Sequence, residues 1–175
     1  GSFTSALPSP RRGYAVVRLA LDLGLRSIEI SRLQLTDIDC RQGTVTLKHT
    51  KSRRQDLLPL PTSTGRALEA YLRHERPKTS DGAVFVRRLA PHDEPVGVDA
   101  IRRIVRDAFR RAGIPHGRGH ALRHTVACRI VNQGGSIKEV ADVLRHRSLN
   151  TSMIYAKVDR GALSGVALPW PGSPA

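Results

Sequence analysis

Apolar positions in this chain recur mostly every third or fourth residue, the spacing that predicts helices. Val16, Val17, Leu19, Ala20 and Leu23 set a first helix over 14–23, which Gly24 ends. A short second helix over 27–35 turns Ile28, Ile30 and Leu33 inward, with Arg26 in the joint at its N-terminus. Thr62 or Ser63 caps a third that runs to residue 73, with Ala67, Leu68, Ala70, Tyr71 and Leu72 as its apolar side. Over 99–112 the periodicity is sharpest. Ile101, Ile104, Val105, Ala108 and Phe109 form one face and Arg102, Arg103, Arg106, Arg110 and Arg111 the other. His120 opens a helix to residue 132, stopped by Gly134 and Gly135. Ser136 followed by Glu139 is a capping box, starting a helix over 137–144 that buries Ile137, Val140, Ala141 and Leu144.

One stretch alternates instead. In 44–48, Val45 and Leu47 sit between polar neighbours, and 56–60 reads as the hairpin partner. Residues 83–86 read as a third strand, and 36–43 as a polar turn. The fold class is therefore mainly α with a small antiparallel β-sheet (α+β). Residues 1–13, with Pro8 and Pro10 as breakers, read as a lead-in, 14–160 as one domain, and 161–175 as a tail. The chain opens on Gly-Ser without methionine, which reads as a fragment of something longer.

Charge changes this picture more than composition does. Lys and Arg number 29 against 15 Asp and Glu, a net charge of +14 in 175 residues. A domain this basic most often meets a polyanion, and nucleic acid leads the candidates. Cys40 and Cys128 lie far apart without a CxxC pair and read as free thiols in a reducing compartment. No apolar run reaches membrane-spanning length and no signal peptide is visible, so no membrane partner is expected.

The candidate chemistry gathers between Gly119 and Tyr155. His120 and Arg123 are three apart, about 60° round a helix, and can reach one phosphate together. Arginine offers a planar fork to phosphate oxygens, and histidine a hydrogen bond or a proton. His124 at i+4 from His120 suggests a metal pair. Ala121, however, stands where the known zinc pattern has glutamate, and no third ligand stands out. The break at Arg147-Ser148-Leu149-Asn150 lets His146 and Tyr155 turn to the same side. A phenol is a weak nucleophile at neutral pH, but nearby cations favour its phenolate and stabilise a pentavalent phosphorus transition state. Arg26 and the basic stretch His49-Thr50-Lys51-Ser52-Arg53-Arg54 are the further cations that such a site would recruit.

Taken together, Gly-Leu-Arg-Ser-Ile-Glu at 24–29, the basic hairpin turn, His-Ala-Leu-Arg-His at 120–124, and Leu-Arg-His at 144–146 followed by Tyr155 resemble the tyrosine recombinases. These are the phage-integrase-like site-specific DNA recombinases, and the match runs through nearly the whole chain in order. The resemblance implies that family's catalytic-domain fold. It makes Arg26 and Arg123 the phosphate-clamping arginines and Glu29 the acid that orients the first. Lys51 becomes the proton donor to the leaving 5′-oxygen, His120 a proton acceptor or phosphate ligand, and His146 a hydrogen-bond donor to the scissile phosphate. Tyr155 becomes the nucleophile, leaving a 3′-phosphotyrosyl bond. Lys48, Arg53, Arg54, Arg145 and Arg147 fall where DNA contacts are expected. No metal, cofactor or ATP is implied. The implied partner is double-stranded DNA bound by a homo-oligomer, a tetrameric synapse, in the bacterial cytoplasm, with an N-terminal DNA-binding domain outside this sequence.

Two departures from the pattern stand out. Lys48 rivals Lys51 as the general acid, with Lys51 preferred because it sits at the hairpin tip. Arg145 stands where the family often has glycine. Three alternatives make different demands. A type IB topoisomerase shares the catalytic set, a non-catalytic DNA-binding module would have lost part of it, and a metal-dependent nuclease needs clustered acids. The arginine face of 99–112 is either a DNA-facing stripe or a solvated surface. Leu163, Val166, Leu168 and Trp170 anchor the tail either on a neighbouring subunit or on their own domain.

Overall fold

The computed structural model describes residues 9–48, 55–88, 94–114, 117 and 119–145. The chain falls into two compact units, 1–123 and 124–175.

In the first unit, α1 (Pro10–Asp22) packs on α3 (Thr62–His74) and on α4 (Val98–Arg111), and α2 (Ser27–Arg32) packs on α4. α1 begins at Pro10, inside the expected lead-in. Proline breaks a helix interior but suits its first turn, where the N–H it lacks would find no partner anyway. No acidic residue of α1 offsets that N-terminus. Glu75, just past α3, does so instead, accepting the backbone N–H groups of Arg11 and Arg12, each at 3.1 Å, and the Ser9 hydroxyl at 2.6 Å. Thr62 and Ser63 do not cap α3; Pro61 stands at its N-cap. Ser63 Oγ accepts from Arg18 at 2.5 Å, and the Thr64 hydroxyl donates to Asp22, so both side chains tie α3 to α1.

The sheet is antiparallel in the order β1 (Ile38–Asp39), β2 (Thr44–Lys48), β3 (Gln55–Pro59). Val45 pairs with Leu58 and with Ile38, and Lys48 with Gln55. The third strand is thus β1, from the stretch expected to be a turn. Residues 83–86 make only single bridges, Ala83 to Gln34 and Val86 to Pro95. They are a buried apolar run that, among the described residues, has no neighbouring strand long enough to form a ladder. The core of this unit centres on Val16, Leu19, Ile30, Leu68, Tyr71 and Ile101, with Leu122 joining from α5 (Gly119–Asn132). Ile28 is only half-buried, and α2 ends at Arg32, before Leu33, which is extended.

In the second unit, Val126 and Ala127 of α5 pack with Val140 and Leu144 of α6 (Ile137–Leu144). The capping box at its start is present. Glu139 N–H donates to Ser136 Oγ at 3.1 Å, and Ser136 N–H to Glu139 Oε2 at 2.5 Å. Ile137, expected in the core, is half-buried.

Burial alone would raise the Glu75 pKa. The hydrogen bonds from Ser9 and from the Arg11 and Arg12 backbones, with the Arg11 charge, outweigh it and hold the carboxyl below its ordinary range. A carboxyl lowered on folding stabilises the fold above its unfolded pKa, and that contribution fades as pH falls through the folded value. Glu75→Gln should therefore cost about 1 kcal/mol at pH 7, as loss of a cap does. That is about 2–4 °C in melting temperature for a chain of this size. The gap from wild type should close below about pH 4; a gap independent of pH in calorimetric scans would refute the account.

Candidate active site

The joint between α1 and α2 carries the first candidate. Gly24 takes a left-handed backbone, φ +60°, the conformation in which helices commonly stop and which glycine adopts without steric cost. The chain reverses there, and Leu25 N–H turns back to the Leu19 carbonyl at 3.4 Å. Arg26 follows as the N-cap of α2. Glu29, one turn on, grips it twice: Oε2 accepts the Arg26 backbone N–H at 2.6 Å, and Oε1 the guanidinium Nη1 at 2.9 Å. The Glu29 side chain is 13% exposed and that of Arg26 40%, so the acid is fixed inside while the cation reaches solvent. α2 has only six residues and Glu29 already takes the N-cap N–H, so the group at this joint that can meet an anion is the Arg26 guanidinium rather than the helix end.

Arg123 reaches the same joint from 99 residues away along the chain. It is buried on α5, and its Nη1 donates to the Gly24 carbonyl, two residues before Arg26. The start of α5 lies by α2 as well, since a Cβ on Gly119 would meet Ser27 Oγ at 3.9 Å. His120 sits on this first turn, exposed. Both candidate arginines are thus anchored to one short joint, with His120 on the turn before Arg123.

Lys48 ends β2, and its Nζ lies 2.5 Å from Oδ1 of Asp37, whose side chain is 6% exposed. The other oxygen of Asp37 accepts the Gln34 N–H at 2.9 Å. Between α2 and β2 runs a groove of about 270 Å³, bordered by Glu29, Arg32, Asp37 and Lys48. All five arginines on the outer face of α4 are exposed, two of them paired with Asp99 and Asp107 of their own helix.

In the second unit, Arg145 is the C-cap of α6 and, among the described residues, the one non-glycine with positive φ, at +53°. Its guanidinium donates to the Val143 carbonyl at 3.0 Å. Glycine at this position would relieve the left-handed strain. His124 has a ring nitrogen 3.5 Å from Cys128 Sγ, and among the described residues no group of three or more His, Cys, Asp or Glu is placed to hold a metal. Lys51, Arg53, Arg54, His146, Arg147 and Tyr155 lie outside the described residues, as do the tail anchors. Of the other tyrosines, Tyr71 is fully buried, stacks on Phe85 at 5.2 Å and has its phenol pushed up by burial; Tyr14 is exposed on α1.

Two contributors escaped the sequence reading. Gly24 reads in the sequence as a helix stop and as the first residue of the 24–29 motif, and Asp37 as a turn residue, neither with a role of its own. Neither spacing nor residue type signals the Arg123 and Lys48 side chains that they hold.

A profile of the phage integrase family matches residues 3–161. The chain belongs to the phage integrase family. Its relatives within the family include y4rF of Sinorhizobium fredii, named as an integrase/recombinase. It is 39% identical over 171 residues, covering 96% of this chain and 40% of y4rF. Another protein of that organism named as an integrase/recombinase, y4gC, is 36% identical, covering 95% of this chain and 86% of y4gC. The tyrosine recombinase XerC of Bifidobacterium longum subsp. infantis is 32% identical over 85% of this chain and 44% of its own. Among solved structures, XerA recombinase superposes with a TM-score of 0.75 at 24% identity, over 93% of this chain and 60% of its own. XerH site-specific recombinase, in a post-cleavage complex with its palindromic difH substrate, reaches 0.78 at 22%, over 97% and 49%. These two likenesses bear on the fold, the mainly helical one with a small antiparallel sheet. The chain spans about two fifths of the length of y4rF. Among the described residues no helix is long and apolar enough to cross a membrane.

Proposed function

We propose that this member of the phage integrase family is the catalytic part of a site-specific DNA recombinase that cuts and rejoins strands through Tyr155. The reading is carried by one observation: Arg26 and Arg123 are both anchored at the joint after α1. Two guanidiniums anchored at one joint suit a bound phosphodiester.

Tyr155 Oη attacks the scissile phosphorus, forming a 3′-phosphotyrosyl ester and expelling the 5′-oxygen. Arg26 and Arg123 neutralise the non-bridging oxygens, with His146 hydrogen-bonded to the phosphate and His120 accepting the phenol proton or binding phosphate. Lys51 gives the departing oxygen its proton. A 5′-hydroxyl then attacks the phosphotyrosine and restores both the diester and the phenol. One phosphoester replaces another at each step, so the exchange asks for neither ATP nor a metal. The seclusion of Tyr71 in the core favours Tyr155 over it as nucleophile. Arg53, Arg54, Arg145 and Arg147 contact the DNA backbone, the exposed face of α4 lies against it, and the working species is a tetramer on double-stranded DNA in the bacterial cytoplasm.

The Asp37 ion pair supports Lys51 over Lys48 as the acid, because an ammonium held by a buried carboxylate serves the fold of the hairpin base. The test is single-turnover cleavage of nicked suicide duplexes with a randomised core, trapping the protein–DNA adduct. Lys51→Ala should slow adduct formation about 10²–10⁴-fold, the usual worth of general acid catalysis. A 5′-bridging phosphorothiolate, whose sulfur departs without a proton, should restore the rate. If Lys48→Ala shows that rescue and Lys51→Ala does not, the assignment is reversed.

A further inference from the structure

We propose that Gly24 is a positioning residue for cleavage, its left-handed backbone aiming a carbonyl that locks the Arg123 guanidinium in place. The inference rests on the recombinase reading and adds to it a residue with no side chain to offer.

The Gly24 carbonyl is an acceptor at a fixed place, held between the end of α1 and the N-cap of α2. Arg123 is 6% exposed, and its Nη1 hydrogen bond to that carbonyl is buried. A guanidinium is planar, so fixing one of its nitrogens from behind fixes the plane in which the others can meet a phosphate. The direction of the carbonyl is set by the backbone torsions of residues 24 and 25. At φ +60° any residue with a Cβ meets its own carbonyl, and asparagine tolerates the conformation best. An alanine that relaxes toward negative φ swings the carbonyl away and removes that hold on Arg123. Arg26, two residues on, keeps its separate hold on Glu29.

Gly43 supplies a matched control. Its φ is +61°, nothing lies within 4 Å of where its Cβ would be, and it turns the chain between β1 and β2. Gly43→Ala therefore imposes the same backbone penalty with no tie to Arg123.

The test uses the duplex that the wild-type chain selects from the randomised suicide pool. Gly24→Ala should slow the single-turnover rate at saturating DNA by about tenfold to a hundredfold, the scale of a small misplacement of a reacting group. Its DNA affinity should stay within about twofold, because one phosphate contact among many is disturbed. Gly24→Asn should recover most of the rate. Gly43→Ala should carry the backbone penalty alone, melt above Gly24→Ala, which also loses the buried Arg123 hydrogen bond, and leave the rate unchanged. The Arg123 guanidinium ¹⁵N–H resonances should be protected from exchange in wild type and Gly24→Asn, and lose protection in Gly24→Ala. Equal rates for Gly24→Ala and Gly43→Ala, or unprotected Arg123 resonances in the wild type, would overturn the proposal. Failure of the wild type to form any adduct while those resonances are protected overturns the recombinase reading instead, and the cleavage role of Gly24 with it.

Discussion

Tyr155→Phe is expected to abolish the covalent protein–DNA adduct altogether while leaving DNA affinity close to wild type. The substitution removes one oxygen and keeps the ring. If that oxygen is the atom that attacks phosphorus, the proposed site keeps no other hydroxyl to form a phosphoester: arginines cannot act as nucleophiles when charged, and water would leave no adduct. Removing a covalent nucleophile costs at least about 10⁴-fold in other enzymes and commonly more, because the remaining groups then stabilise a step that cannot start. Affinity should be spared because binding to a duplex comes mainly from phosphate contacts by lysine and arginine. The measurement is adduct trapped on a suicide duplex, resolved on a denaturing gel, with and without EDTA. Wild type should trap equally in both. An adduct that persists in Tyr155→Phe and maps by peptide sequencing to Tyr14, the exposed tyrosine of α1, would move the nucleophile and discard the assignment.

Arg123→Ala carries the second large effect, and it has two separable parts. In cleavage, loss of a cationic fork aimed at the developing charge should cost about 10²–10³-fold in the single-turnover rate. In stability, the Gly24 carbonyl loses its buried partner, which costs about 1–3 kcal/mol, or roughly 2–4 °C per kcal/mol in a chain of this length. Arg123→Lys separates them. It keeps a charge and at least one donor, so it should melt nearer to wild type, yet a single ammonium cannot hold Gly24 and present a two-pronged face to phosphate. We expect its cleavage rate to remain within about tenfold of that of Arg123→Ala. Calorimetric melting and adduct kinetics on the same three proteins make the comparison. A lysine variant that cleaves at the wild-type rate would show that charge alone suffices and would remove the geometric role of Arg123.

How much of this could be read beforehand varies by element, for physical reasons. The helix over 137–144 was legible to the residue because its capping box and its apolar period agree. β2 was legible because strict alternation over five residues has one interpretation. Pro10 was misread because proline's two roles, breaking a helix interior and opening a first turn, look alike until the partner at the N-terminus is known. That partner is Glu75, more than sixty residues away. The apolar run at 83–86 was misread because burial and β-propensity do not create a neighbouring strand, and only the sheet order reveals that the short β1 takes the place at the edge.

The chemistry divides along the same line. The kinds of side chain, their order and the spacing of His120 from Arg123 are written in local sequence, because helix geometry converts a step of three into a shared face. By itself, then, the sequence determined which groups are available to meet a phosphate and that the chain is strongly cationic. Only the tertiary structure decided that Arg123 closes on the carbonyl two residues before Arg26 and that Lys48 belongs to Asp37. Those are contacts between separate elements of the chain. Their partners are selected by packing and by the need of every buried charge for a hydrogen bond, which no local pattern records.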